Sequence, residues 1–183
     1  MLSFLSSILL TSIASADINV TVYPKDSNND QRVEASFDVA ASTKTVFSVL
    51  KDYNNLPKFI SSLSKSKILS SKMAPSGFNS DLAKWLVVEQ EGVGHAFLFK
   101  KRIYVQLLVE EYGNTIFFKD ILRKDFNLYR GSWIVFAQGN RSSISYLLVS
   151  DPKFSVPFSN HIAKKNITKL LEEVQAEILR RSK

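Results

Sequence analysis

Residues 157–181 read PFSNHIAKKNITKLLEEVQAEILRR, and their apolar members recur at helical spacing. Phe158, Ile162, Ala163, Ile167, Leu170, Leu171, Val174 and Ile178 fall on one stripe of an α-helix. Lys164, Lys165, Lys169, Glu172, Glu173, Glu177, Arg180 and Arg181 occupy the other faces. Lys169 and Glu173 are four apart, as are Glu177 and Arg181, so opposite charges are expected to meet on the solvent side. Pro157 suits the first turn, where a missing N–H costs nothing. A helix of about 25 residues is roughly 37 Å long. It needs a large apolar partner surface.

That surface is supplied upstream, where the pattern is mostly of strands. Residues 17–23, DINVTVY, alternate, and 32–39 alternate more cleanly, with Val33, Ala35, Phe37 and Val39 on one face. Ser42 is the N-cap of a short helix with Val46, Phe47, Val49 and Leu50 inward. A second short helix starts at Leu56-Pro57 and turns Phe59, Ile60 and Leu63 inward. Strand patterns follow at 67–71, 82–90, 96–112, 115–122, 126–137 and 141–149. Turns are expected at 74–77, at Gly113-Asn114 and at Gln138-Gly139-Asn140. Gly92-Val93-Gly94 is read as a strand interruption, and Lys101, on the apolar parity of Ile103, as the mark of a bulge or break. The expected class is α+β: a curved antiparallel sheet around one long C-terminal helix, with two short helices after the second strand.

The chain has 183 residues, 45% of them hydrophobic and 22% charged, including 13 Phe, 6 Tyr and 2 Trp. That is an ordinary composition for one domain with an aromatic-rich core. The absence of cysteine excludes disulfides, thiolate catalysis and cysteine-ligated metals. The net charge of +7 is dispersed and accompanies no nucleic-acid motif, so no nucleic acid is expected; an anionic membrane surface is a partner this charge allows.

Residues 1–16, MLSFLSSILLTSIASA, carry no charged side chain, a short apolar run and an Ala14-Ser15-Ala16 cleavage pattern. They are too short to span a bilayer, which takes about 20 residues. A signal peptide cleaved after Ala16 is expected, with residues 17–183 exported as a single periplasmic or secreted domain, although only the amino terminus supplies positive charge ahead of the apolar run.

Residues 37–59, FDVAASTKTVFSVLKDYNNLPKF, carry a specific resemblance. A strand ending in Ala41, the cap Ser42, an amphipathic helix with Phe47, then Asp52-Tyr53, Leu56-Pro57 and Phe59 resemble the START-like (helix-grip, SRPBCC) superfamily, in its polyketide cyclase and coenzyme Q-binding branch. Gly131-Ser132-Trp133, the Ile144/Tyr146/Leu148 strand and Pro157 also fit, and the likeness covers most of 17–181. Thr43 stands where the family usually has proline after the cap. These motifs are structural, so Asp52 and Tyr53 are expected at a helix end rather than in chemistry.

The resemblance implies a cavity between sheet and long helix that holds a hydrophobic molecule. Its expected lining is Phe97, Phe99, Ile103, Val105, Phe117, Trp133, Val135, Phe158, Ile162 and Leu170, with Asn160 or Asn166 as polar handles. No metal or cofactor is expected. His95 and His161 lack metal-ligand spacing, and no nucleophile-elbow motif is present. The expected function is non-catalytic binding or transport of a lipid, quinone or polyketide-like molecule. The alternatives are a cyclase or aromatase, which would draw on His95, Lys101, Glu89 or Lys119, and a protein-interaction module of the cell envelope.

Overall fold

A computed structural model describes residues 17–73, 84–96, 99–154 and 159–183, without the side chains of residues 73, 94–96, 99, 100 and 159. The strands are β1 (Asn19–Val22), β2 (Gln31–Val39), β3 (Leu63–Met73), β4 (Lys84–Ala96), β5 (Phe99–Tyr112), β6 (Thr115–Asp120), β7 (Phe126–Gln138) and β8 (Arg141–Pro152). The helices are α1 (Thr43–Leu50) and α2 (Ser159–Arg181), with a 3-10 helix at Tyr53–Lys58. All eight strands form one curved antiparallel sheet in the order β1-β2-β8-β7-β6-β5-β4-β3. Pairing of β2 with β8 joins the two ends of the strand sequence, and α2 lies across the inner face, packed on α1, β1, β2 and β4.

Local chemistry explains these elements. Val33, Ala35, Phe37 and Val39 are buried on one side of β2 while Arg32 and Ser36 are exposed, as half-buried pairing requires. The Ser42 side chain accepts a 3.2 Å hydrogen bond from the Thr45 N–H at the start of α1. Ile167, Leu171, Val174 and Ile178 form the buried stripe of α2. Each such side chain contributes about 1.5–3 kcal/mol on leaving water.

The C-terminal turn of α2 departs from the simple solvent-side pairing. Glu177 is buried and accepts hydrogen bonds from Arg180 Nε at 2.6 Å and Arg181 Nε at 2.7 Å. Arg181 also donates to the Ser48 carbonyl and to Asp52, both at 2.8 Å. Asp52 therefore has the structural role expected of it, tying the end of α1 to the end of α2. The Lys169–Glu173 pair forms at 3.9 Å.

Two strand expectations are corrected. Gly92 and Gly94 do not interrupt β4, which pairs continuously with β5 from Lys84↔Glu111 to Ala96↔Phe99. A Cβ at Gly92 would lie 2.8 Å from the Ser62 carbonyl oxygen, so glycine there admits another backbone. The strand expected over 96–112 is β5, which runs from Phe99 to Tyr112 and has no bulge at Lys101. Lys101 keeps inward parity but lies past the core, exposed, with its ammonium 3.7 Å from the Phe154 ring centre and 3.7 Å from Asp125. The expected leader at 1–16, the 74–77 turn and the Pro157 helix start lie outside the described residues.

Candidate ligand cavity

The inner sheet face and α2 leave two adjoining lobes between them. The first, about 170 Å3, is walled by Val49, Tyr53 and Ile60 on the small-helix side, by Val88, Leu107 and Trp133 from the sheet, and by Leu170 and Val174 of α2. The second, about 230 Å3, lies toward the N-terminal half of α2, between Ile103, Val105 and Phe126 and the helix residues Asn166 and Ile167. Ser62, Leu63, Gln90, Tyr129, Tyr146 and Leu170 line both, so the lobes share a wall. Ser61, Asn166 and Lys169 in the second lobe are exposed, which places its mouth between α2 and the segment entering β3.

One flank is aromatic. Trp133 and Tyr146 ring centres are 4.4 Å apart, Phe126 and Tyr129 4.8 Å, and Phe118 sits 6.0 Å from Tyr129 and 6.3 Å from Tyr146. Gly131 makes this possible, because a Cβ there would meet the Leu147 carbonyl oxygen and lie 2.5 Å from the Phe118 ring. At the mouth, Glu173 accepts from the Ser61 N–H at 3.0 Å and hydroxyl at 2.5 Å, clipping α2 to the β3 approach.

Of the residues expected to line the cavity, Ile103 and Val105 border the second lobe, Trp133 the first, Leu170 both, and Asn166 the exposed edge of the second. Val135 is buried in the core and reaches neither lobe; Ile162 is half-buried on α2 and also reaches neither. Phe117 is corrected: it is 48% exposed on the outer sheet face, and its neighbour Phe118 points inward. Phe97 and Phe158 lie outside the described residues, as does the Phe99 side chain. Asn160 is exposed near the start of α2, where its side-chain oxygen accepts from Gln31 Nε2 at 2.6 Å.

The ionisable groups divide sharply. The Tyr53 hydroxyl donates to Glu111 at 2.9 Å, and Glu111 also pairs with Lys51 at 3.0 Å. Burial, then the Glu111 carboxylate, pushes the Tyr53 phenol far above its ordinary value. Burial and the Asp120 carboxylate push Tyr129 up to about 12, and burial raises Tyr146. All three therefore stay protonated near neutral pH, as donors. Among the acid–base candidates, Glu89 points to the outer face, where Tyr104 and Lys65 bind it, and Lys119 is exposed on that same face. Lys101 lines neither lobe, His161 is exposed, and the His95 side chain lies outside the described residues. No cluster of His, Asp and Glu able to hold a metal occurs among the described residues.

Residues 39–178 match the model of a family described as polyketide cyclase / dehydrase and lipid transport. Human STARD10 is 14% identical over 92% of this chain and 72% of its own, with a TM-score of 0.70. A STAR-related lipid transfer protein of Xanthomonas axonopodis is 13% identical over 88% and 93%, with a TM-score of 0.65. The Zhui aromatase/cyclase of Streptomyces sp. R1128 is 14% identical over 84% and 91%, with a TM-score of 0.53. At these identities the likeness is one of fold, the helix-grip arrangement. No curated protein sequence matches the chain.

Proposed function

The chain belongs to the polyketide cyclase / dehydrase and lipid transport family, and from that premise we propose that it is a non-catalytic carrier of a hydrophobic small molecule. The observation that carries this reading is the first lobe: a space of about 170 Å3 under α2 whose described lining contains no Asp, Glu, Lys or Arg. Apolar ligand surface moved there from water gains roughly 25 cal/mol per Å2. The tyrosines around it are held protonated, which suits binding and not proton abstraction.

The proposal extends to place. Residues 1–16 act as an export signal removed after Ala16, and the excess of positive charge favours delivery at anionic membranes. Native mass spectrometry and organic extraction of the purified protein test the carrier reading. The expected result is a non-covalent adduct that extraction removes. Protein that is empty as isolated and takes up no apolar fluorescent probe would sink it.

A further inference from the structure

Two phenol groups stand at the wall shared by the lobes. Tyr146 on β8 is 5% exposed, and Tyr129 on β7 packs in the same aromatic flank; both line both lobes. Two other polar groups of the chamber have partners: Tyr53 donates to Glu111, and the Gln90 amide to the Ser66 hydroxyl at 3.4 Å. Neither the Tyr129 nor the Tyr146 hydroxyl is hydrogen-bonded to another of the described residues, yet neither is a sealed, unsatisfied atom. Both therefore open onto the cavity. A phenol in this position loses about 1–3 kcal/mol if nothing accepts from it, so it needs an acceptor in the chamber: water when no ligand is bound, and a ligand atom when one displaces that water.

Three observations narrow that acceptor. No charged side chain lines the first lobe, and the charge nearest in effect to Tyr129 is the Asp120 carboxylate, so an anionic ligand is opposed. The lobes, about 170 and 230 Å3, together sit at the low end of pockets for drug-sized molecules, about 300–1,000 Å3. Phe118, Trp133 and Tyr146 make the flank aromatic, which favours a planar or ring-shaped guest.

We propose that Tyr129 and Tyr146 are the specificity-determining residues of the cavity, donating hydrogen bonds to an oxygen acceptor, such as a ketone, on a neutral, compact ring-shaped ligand. This rests on the carrier reading and adds to it the chemistry by which the ligand is chosen.

The test uses a near-isosteric pair, 2-acetylnaphthalene and 2-isopropylnaphthalene, with 2-naphthoate as the anionic counterpart. Binding to the purified protein is measured by calorimetry and by quenching of tryptophan fluorescence. The variants are Tyr129→Phe, Tyr146→Phe and the double variant, with Tyr112→Phe on the outer face as control. The ketone is expected to bind about tenfold tighter than the hydrocarbon, since two donors contribute about 0.5–1.5 kcal/mol each; the naphthoate binds worst. The double variant is expected to bind ketone and hydrocarbon alike, each single variant to lose part of the preference, and Tyr112→Phe to keep all of it. Hydrocarbon binding without a ketone preference in the unaltered protein overturns the tyrosine assignment and leaves the carrier reading standing. A preference that survives both substitutions also overturns it. Failure of every probe to bind overturns the carrier reading and this assignment together.

Discussion

Glu177 is a buried carboxylate held by two guanidinium groups, and this has a measurable consequence in acid. The Arg180 hydrogen bonds, then those from Arg181, lower its pKa to about 2 against the opposing effect of burial. Asp52 is lowered too: burial works to raise it, and the Asn55 and Arg181 hydrogen bonds with the Arg181 charge outweigh that. Folded-state values below the unfolded ones, near 4, mean a contribution fully present above about pH 5 and lost as pH falls toward 2. Glu177→Gln is expected to cost about 1–3 kcal/mol at pH 7 and to flatten the stability profile between about pH 5 and 2. Urea unfolding across that range checks both. Gly131→Ala brings a methyl against Phe118 and the Leu147 carbonyl and is expected to cost about 1–3 kcal/mol by overpacking, seen as a lower urea midpoint at unchanged slope. The choice between Phe117 and Phe118 was open to sequence reasoning. The two-residue turn Gly113-Asn114 pairs Tyr112 with Thr115, so inward Val109 and Glu111 put Ile116 and Phe118 inward as well. Tyr129 was not open to it. A register shift between Phe126 and Leu128 turns both Phe126 and Tyr129 inward, and alternation alone forbids that pair.

Helix α2 is the element on which the cavity depends, and its two halves are held differently. The C-terminal half is anchored by Leu171, Val174 and Ile178 and by Arg181 bridging to Asp52 and the Ser48 carbonyl. The N-terminal half covers the second lobe and is clipped by the Glu173–Ser61 contact. Leu171→Ala, at a fully buried position, is expected to cost about 2–5 kcal/mol, or a fall in Tm of about 2–4 °C for each kcal/mol in a domain of this size. Glu173→Ala removes the clip together with the exposed Lys169 pair. It is expected to leave Tm within a few degrees while speeding amide exchange in residues 160–170 and the release of any bound probe; unchanged exchange there would mean the clip holds nothing. The stripe of α2 was legible because a 3.6-residue period over some twenty residues leaves little choice. The continuation of β4 past Gln90 was not, because Gly92 and Gly94 look like punctuation until the Ser62 carbonyl approaching Gly92 is seen.

For the molecule as a whole, the distribution of charge is informative. The net +7 is spread over the outside, while the described lining of the first lobe carries none of it. Such a surface attracts anionic lipid headgroups at about 1 kcal/mol for each Lys or Arg close to the bilayer, an attraction that salt weakens. It offers little where the headgroups are neutral, since the positive charge then has no opposite charge to act on. The protein is therefore expected to co-sediment with vesicles containing phosphatidylglycerol at low ionic strength and to release as salt rises past about 0.15 M, where the screening length is about 8 Å. It is expected to ignore pure phosphatidylcholine vesicles under the same conditions. Binding that is indifferent to salt and headgroup would place the association in exposed apolar groups such as Phe117, Phe136 and Trp85, and would remove electrostatic docking from the proposal. Repeating the sedimentation with a probe bound in the cavity then asks whether the membrane receives it. Loss of probe only from protein bound to anionic vesicles would connect the charged exterior to the apolar interior.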